Sequence, residues 1–116
     1  MKSLLIAGIL SAVLLGAGRP TLGANPPPAA NELSIECADE TDSCAAYLLG
    51  VFDGLVVGGR ITKENPICPK GGVNGRQLLL IFNKWARENP EKLSIVRGVA
   101  VTAAFMDAFP CGPATP

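Results

Sequence analysis

The chain has 116 residues, four Cys, no His and 10 basic against 10 acidic side chains. That length and composition suit one small globular domain. The lack of His removes Ser-His-Asp, Cys-His and His-bearing metal sites, and the neutral balance leaves no electrostatic footprint for nucleic acid or an anionic membrane.

Met1-Lys2-Ser3 is a short basic start, Leu4 to Ala17 is apolar apart from Ser11, and Thr21-Leu22-Gly23-Ala24 supplies small residues for cleavage. These are the three parts of a secretory signal peptide, and an apolar run of about 14 residues is short of the roughly 20 that a membrane span needs. Residues 1–24 are therefore expected to leave on export, with cleavage near Ala24 and no Cys nearby to carry a lipid. Taking Lys2 and Arg19 from the 10 basic residues leaves 8 against 10 acidic ones, a net charge of −2 on 92 residues. An even set of cysteines in a small exported chain implies disulfides.

Residues 25–30, Asn25-Pro26-Pro27-Pro28-Ala29-Ala30, read as an extended, mobile proline-rich spacer. A domain over 31–112 follows. Asn31 is placed to cap a short helix over 32–39 with Leu33, Ile35 and Cys37 on its apolar side. Thr41 or Asp42 caps a central helix over 43–59, in which Cys44, Leu48, Val51, Leu55 and Gly58 form a buried line flanked by Tyr47 and Phe52. Gly50 and Gly54 each cost about 1 kcal/mol in helix propensity, a cost expected where another backbone comes close. Gly58-Gly59 ends that helix, and Arg60 to Val73 is the one long irregular segment.

Asn74 caps a helix over 75–88 with Leu78, Ile81, Phe82 and Trp85 at core spacing. Asn89-Pro90-Glu91 opens a last helix over 91–108, with Leu93, Val96, Val99, Ala100, Ala103 and Met106 on its inner side. Having few charges, this helix is expected to be the most buried element. No stretch alternates as a strand would. The fold class expected is all-α: a small, disulfide-stapled antiparallel bundle of about four helices.

An up-and-down bundle also selects among the three pairings that four cysteines allow. It brings Cys37 and Cys44 together at one end and Cys68 and Cys111 at the other. Cross pairs would have to span a helix of roughly 24 Å, against a disulfide Cα separation near 5–6 Å. Loop entropy gives about 2.5 kcal/mol for the short bridge and about 4 kcal/mol for the long one, so the long one is expected to matter more.

No catalytic set emerges, and no cofactor or metal is expected. Cysteine spacings of C-x6-C and C-x42-C are unlike zinc sites, whose paired ligands lie two to four residues apart. Glu36, Asp39, Glu40 and Asp42 lack the ordered spacing and glycine of a calcium loop and read as a solvated turn. Asp53 faces away from the apolar line with no cleft partner in view. Gly71-Gly72-Val73-Asn74-Gly75 lacks the Lys-Ser/Thr pair of a phosphate loop. Trp85 and Phe82 serve packing first.

Cys37, then Cys44-x2-Tyr47-x2-Gly50 with Asp53-Gly54, then Cys68-Pro69, Gln77, Asn89-Pro90-Glu91 and finally Phe109-Pro110-Cys111 form a series over about residues 31–111. In this order the chain resembles the Rap/Tai family of type VI secretion immunity proteins. The resemblance implies a periplasmic, all-helical domain with intramolecular disulfides, often a homodimer, that binds and blocks a peptidoglycan-cleaving amidase effector. It implies scaffold roles for Tyr47, Gly50, Asp53, Pro69, Phe109 and Pro110 and bridge roles for Cys37, Cys44, Cys68 and Cys111. The segment from Arg60 to Arg76 is the expected partner-binding region, with Arg60, Lys63, Lys70 and Arg76 as its binding residues and the last three facing an acidic rim. The rival reading is a periplasmic stress chaperone, or an accessory envelope protein, on the same helical scaffold.

Overall fold

The computed structural model describes residues 26–112. The expected signal peptide lies outside them. Four helices make up the fold of the described residues: α1 (Ala30–Ala38), α2 (Asp42–Thr62), α3 (Gly75–Glu88) and α4 (Arg97–Ala108), with a 3-10 turn at Pro90–Lys92 before α4. There is no strand among the described residues, only an isolated bridge between Ala29 and Val96. The all-α, disulfide-stapled bundle is thus what is observed.

Two of the expected caps are in place. Thr41 accepts a hydrogen bond from the Cys44 amide at 3.1 Å. Asn74 and Gln77 form a reciprocal capping box at the start of α3, each side chain accepting from the other's amide at 2.9 Å. The first helix differs. It begins at Ala30 because tertiary acceptors replace a side-chain cap: the Ala30 amide donates to Ile95 O and the Asn31 amide to Leu93 O, both at 2.8 Å. Pro28 O also accepts from the Arg97 amide at 3.0 Å, so the end of the proline-rich stretch is tied to the fold and Ala30 is fully buried.

Three further expectations are corrected. The last helix starts at Arg97, since Leu93 to Val96 carry the acceptors for α1 and cannot also be helical. Its buried side is Ala100, Val101, Ala104 and Phe105, whereas Val96, Val99 and Met106 are exposed, so the inner face is turned from the one expected and α4 is not the most buried element. Phe105 sets the turn, because its ring packs edge-on against Phe52 with centroids 6.0 Å apart. The third concerns the end of α2, which continues through Thr62 and stops at Lys63 in the left-handed conformation (φ 62°). Gly59 is buried because Asn65 and Pro66 fold back over it: an added Cβ there would lie 3.1 Å from Asn65 Cα and 3.2 Å from Pro66 Cδ. Gly59 therefore marks a close approach, and neither it nor Gly58 is a helix end.

The core gathers Leu33 and Cys37 of α1, Cys44, Leu48 and Phe52 of α2, Ile67 of the return segment, Leu78, Phe82 and Trp85 of α3, and the inner face of α4. Contact order shows the directions. Tyr47 meets Arg97 and Phe52 meets Phe109, so α2 and α4 run the same way. Glu40 pairs with Arg76 and Cys37 O accepts from Asn83, so α1 and α3 run oppositely. The chain from Lys63 to Asn74 returns along α2, and α3 starts beside Ala45 and Leu49 instead of at the far end of the bundle.

Candidate functional site

Both disulfides join the expected partners. Cys37 and Cys44 lie 5.3 Å apart at Cα and are wholly buried, closing the α1–α2 turn. Cys68 and Cys111 lie 4.9 Å apart at Cα, and Cys111 is exposed. Beside this second bridge the Cys68 amide donates to Phe109 O at 2.9 Å, and the Phe109 ring packs on Phe52 and Phe105 at 5.6 and 6.2 Å. The bridge is therefore level with Phe52, about eight residues and roughly 12 Å along α2 from Cys44. That distance still forbids cross pairing.

Past Val56, α2 meets chiefly its own return segment. Gly54, Leu55, Gly58, Gly59, Thr62 and Glu64 to Pro66 enclose a shallow cleft of about 420 Å³ between them. On the outer side Val57 is 53% exposed and Ile61 75% exposed, with Arg60 and Lys63 beside them, also exposed. A bare isoleucine on the last turn of a well-anchored helix is the most exposed large apolar side chain described. Ending α2 at Gly59 hides this feature. The signal that would have found it is the i, i+4 spacing of Val57 and Ile61 running on past the glycines.

The four cations expected in one partner-binding region are divided. Arg60 and Lys63 share the end of α2. Lys70 is exposed and lines a cleft of about 310 Å³ with Cys68, Ala108, Phe109 and Pro110. Arg76 is bound to Glu40 at 2.9 Å, beside the start of α2 and about 27 Å along that helix from Arg60. Arg76 thus belongs to a different end of the molecule from Arg60.

Among the scaffold residues, Tyr47 lies under the Arg97 guanidinium, 4.4 Å from its ring centroid, a cation–π contact that ties the starts of α2 and α4 together. Pro69 is half-buried after Cys68, Phe109 ends α4, and Pro110 is exposed at the Lys70 cleft. Asp53 and Gly50 are exposed on the outer side of α2. Among the described residues nothing lies within 4 Å of a Cβ placed at Gly50 or Gly54, so none of them supplies the close backbone expected there.

The chain matches the family of Rap1a immunity proteins over residues 29–111. It belongs to that family. The family's role is immunity against a secreted effector. No curated protein and no solved structure matches the chain.

Proposed function

We propose that this Rap1a-family protein is exported to the periplasm by its signal peptide and there binds and occludes a type VI secreted peptidoglycan amidase, without catalysing a reaction itself. The observation that carries this reading is the end of α2, where Ile61 and Val57 stand exposed beside Arg60 and Lys63 on a helix whose other end is locked into the core. An apolar anchor with a basic rim on a rigid support is the anatomy of a binding hot spot, and the cations suit the acidic edge of a substrate groove. Lys70 extends the same surface toward the second disulfide; Arg76, held by Glu40, is a stabilising residue in this reading.

The helix that bears this end is long and apolar enough to cross a membrane. Its Cys44, Leu48 and Phe52 side is buried by the other helices, however, which favours a bundle helix and a mature protein free of the membrane. We assign the second partner, another copy of the chain, to the outer side of α2 at Gly50 and Gly54. Glycines that cost helix propensity and meet nothing among the described residues are explained by a partner helix lying close against them. Neither nucleic acid nor a cofactor enters the reading.

The test is inhibition of a secreted peptidoglycan amidase encoded beside the gene, using mature protein from residue 25. Stoichiometric inhibition is expected. Ile61→Asp should weaken it at least about 30-fold, equivalent to about 2 kcal/mol, without lowering the melting temperature. Absence of binding and inhibition by the parent protein overturns the reading, and suppression of client aggregation at low pH would then favour the chaperone alternative.

A further inference from the structure

The two disulfides differ in a way that pairing alone does not reveal. Cys37 and Cys44 are 0% exposed, and the Asn83 amide group donates to Cys37 O at 3.0 Å, so no reductant reaches that sulfur pair without opening the core. Cys111 is exposed and Cys68 partly so, and both border open surface. The cleft of about 310 Å³ against Cys68 has Lys70 on its wall, a cation that attracts an incoming thiolate and favours a departing one.

What the exposed bridge holds is the return segment from Lys63 to Asn74, which carries Lys63 and Lys70. With the bridge open, the attachment of this segment to the end of α4 falls to the Cys68 amide bond to Phe109 O and the packing of Ile67 and Phe109. Helix packing elsewhere does not pass through Cys68 or Cys111. Opening therefore loosens one segment and leaves the bundle standing.

We infer that Cys68–Cys111 is a redox clip: a dithiol reductant opens it while Cys37–Cys44 stays closed, and its state sets how firmly the return segment, which brings Lys63 and Lys70 to the proposed effector surface, is held. Its effect on inhibition rests on the effector surface proposed above. In the exchange, one thiolate of the dithiol attacks Cys111 Sγ and expels Cys68 as thiolate beside Lys70. The second thiolate of the dithiol then displaces Cys111 from the mixed disulfide. The reductant ends as its own disulfide and the protein gains two thiols, a transfer of two electrons and two protons.

The experiment treats the oxidised mature protein with graded dithiothreitol, traps thiols with iodoacetamide and maps them by peptide mass spectrometry. Cys68 and Cys111 should be trapped at least about ten times faster than Cys37 and Cys44, with the helical circular dichroism retained. Equal rates, or earlier trapping of Cys37 and Cys44, overturn the inference. In the selectively opened form trypsin should cut after Lys70 at least about ten times faster than in the oxidised form; an unchanged rate overturns the loosening. Inhibition of the neighbouring amidase should weaken at least about tenfold on opening. If oxidised and opened proteins inhibit equally, the regulation is overturned and the binding reading stands. If the oxidised protein does not inhibit at all, the binding reading falls, and trapping and proteolysis still decide the clip.

Discussion

Gly50 and Gly54 are costly residues in the middle of the longest helix described, and among the described residues a Cβ at either would meet nothing within 4 Å. Gly54→Ala should therefore stabilise the monomer by about 0.5–1 kcal/mol, since alanine restricts the unfolded chain and meets no obstacle in the folded one. The same change should weaken self-association, which sedimentation at several concentrations would measure. Gains in both properties would remove the glycine face as the dimer surface. The cysteines show how burial alters an expectation drawn from spacing. Loop entropy makes the Cys68–Cys111 bridge worth more, about 4 against about 2.5 kcal/mol. Replacing Cys37 and Cys44 by Ser, however, also buries two hydroxyls at fully enclosed positions, costing about 1–3 kcal/mol each where no acceptor is met. The order should reverse: the Cys37→Ser/Cys44→Ser protein should melt below the Cys68→Ser/Cys111→Ser protein in non-reducing scans.

Among the helices, α3 is the one whose pattern says most. Its Leu78, Phe82 and Trp85 are buried as their spacing implies, and Trp85 Nε1 finds Asp107 at 3.2 Å. In α4 the pattern is ambiguous, because apolar residues occur all round it and periodicity cannot choose a face. The aromatic rings choose. Phe105→Ala should cost about 3–5 kcal/mol in urea unfolding, whereas Val99→Ser should stay within about 0.5 kcal/mol, opposite to what the expected stripe of Val96, Val99 and Met106 implies. In α2 the buried line runs through Cys44, Leu48 and Phe52, with Val51 and Leu55 only half-buried, so the helix presents a narrower inner face than its composition suggests. Its remaining apolar side chains are the ones available to partners.

The overall arrangement depends on the length of the segment from Lys63 to Asn74. Its twelve residues reach roughly 40 Å when extended, more than the approximately 27 Å from Lys63 back to Ala45 along the helix. The chain can therefore return beside α2 and start α3 near the α1–α2 turn, where Arg76 meets Glu40. This return separates Arg76 and the α1–α2 turn from the exposed end of α2 and sets the Cys68–Cys111 bridge between the return segment and α4, while Gly50, Gly54, Val57 and Ile61 follow one another on one face of α2, so the proposed effector and second-copy surfaces adjoin. Arg76→Ala should accordingly lower stability by no more than about 1 kcal/mol, as expected for an exposed ion pair, and leave amidase inhibition unchanged. A tenfold loss of inhibition in that variant would move the binding surface to the other end of the molecule.

Helix number, two of the caps and the cysteine partners were legible from the residues, because propensity, capping chemistry and the short reach of a disulfide are local constraints. The family resemblance was legible for the same reason: its motifs are short and anchored on Cys, Gly and Pro. The true end of α2, the inner face of α4, the tie between Pro28 and Arg97 and the dispersal of the four cations were decided only by tertiary structure. Each depends on what lies opposite a residue. Asn65 and Pro66 over Gly59, Phe52 against Phe105, and Glu40 beside Arg76 are pairings between residues far enough apart in the chain, or ambiguous enough in pattern, that local chemistry does not choose them.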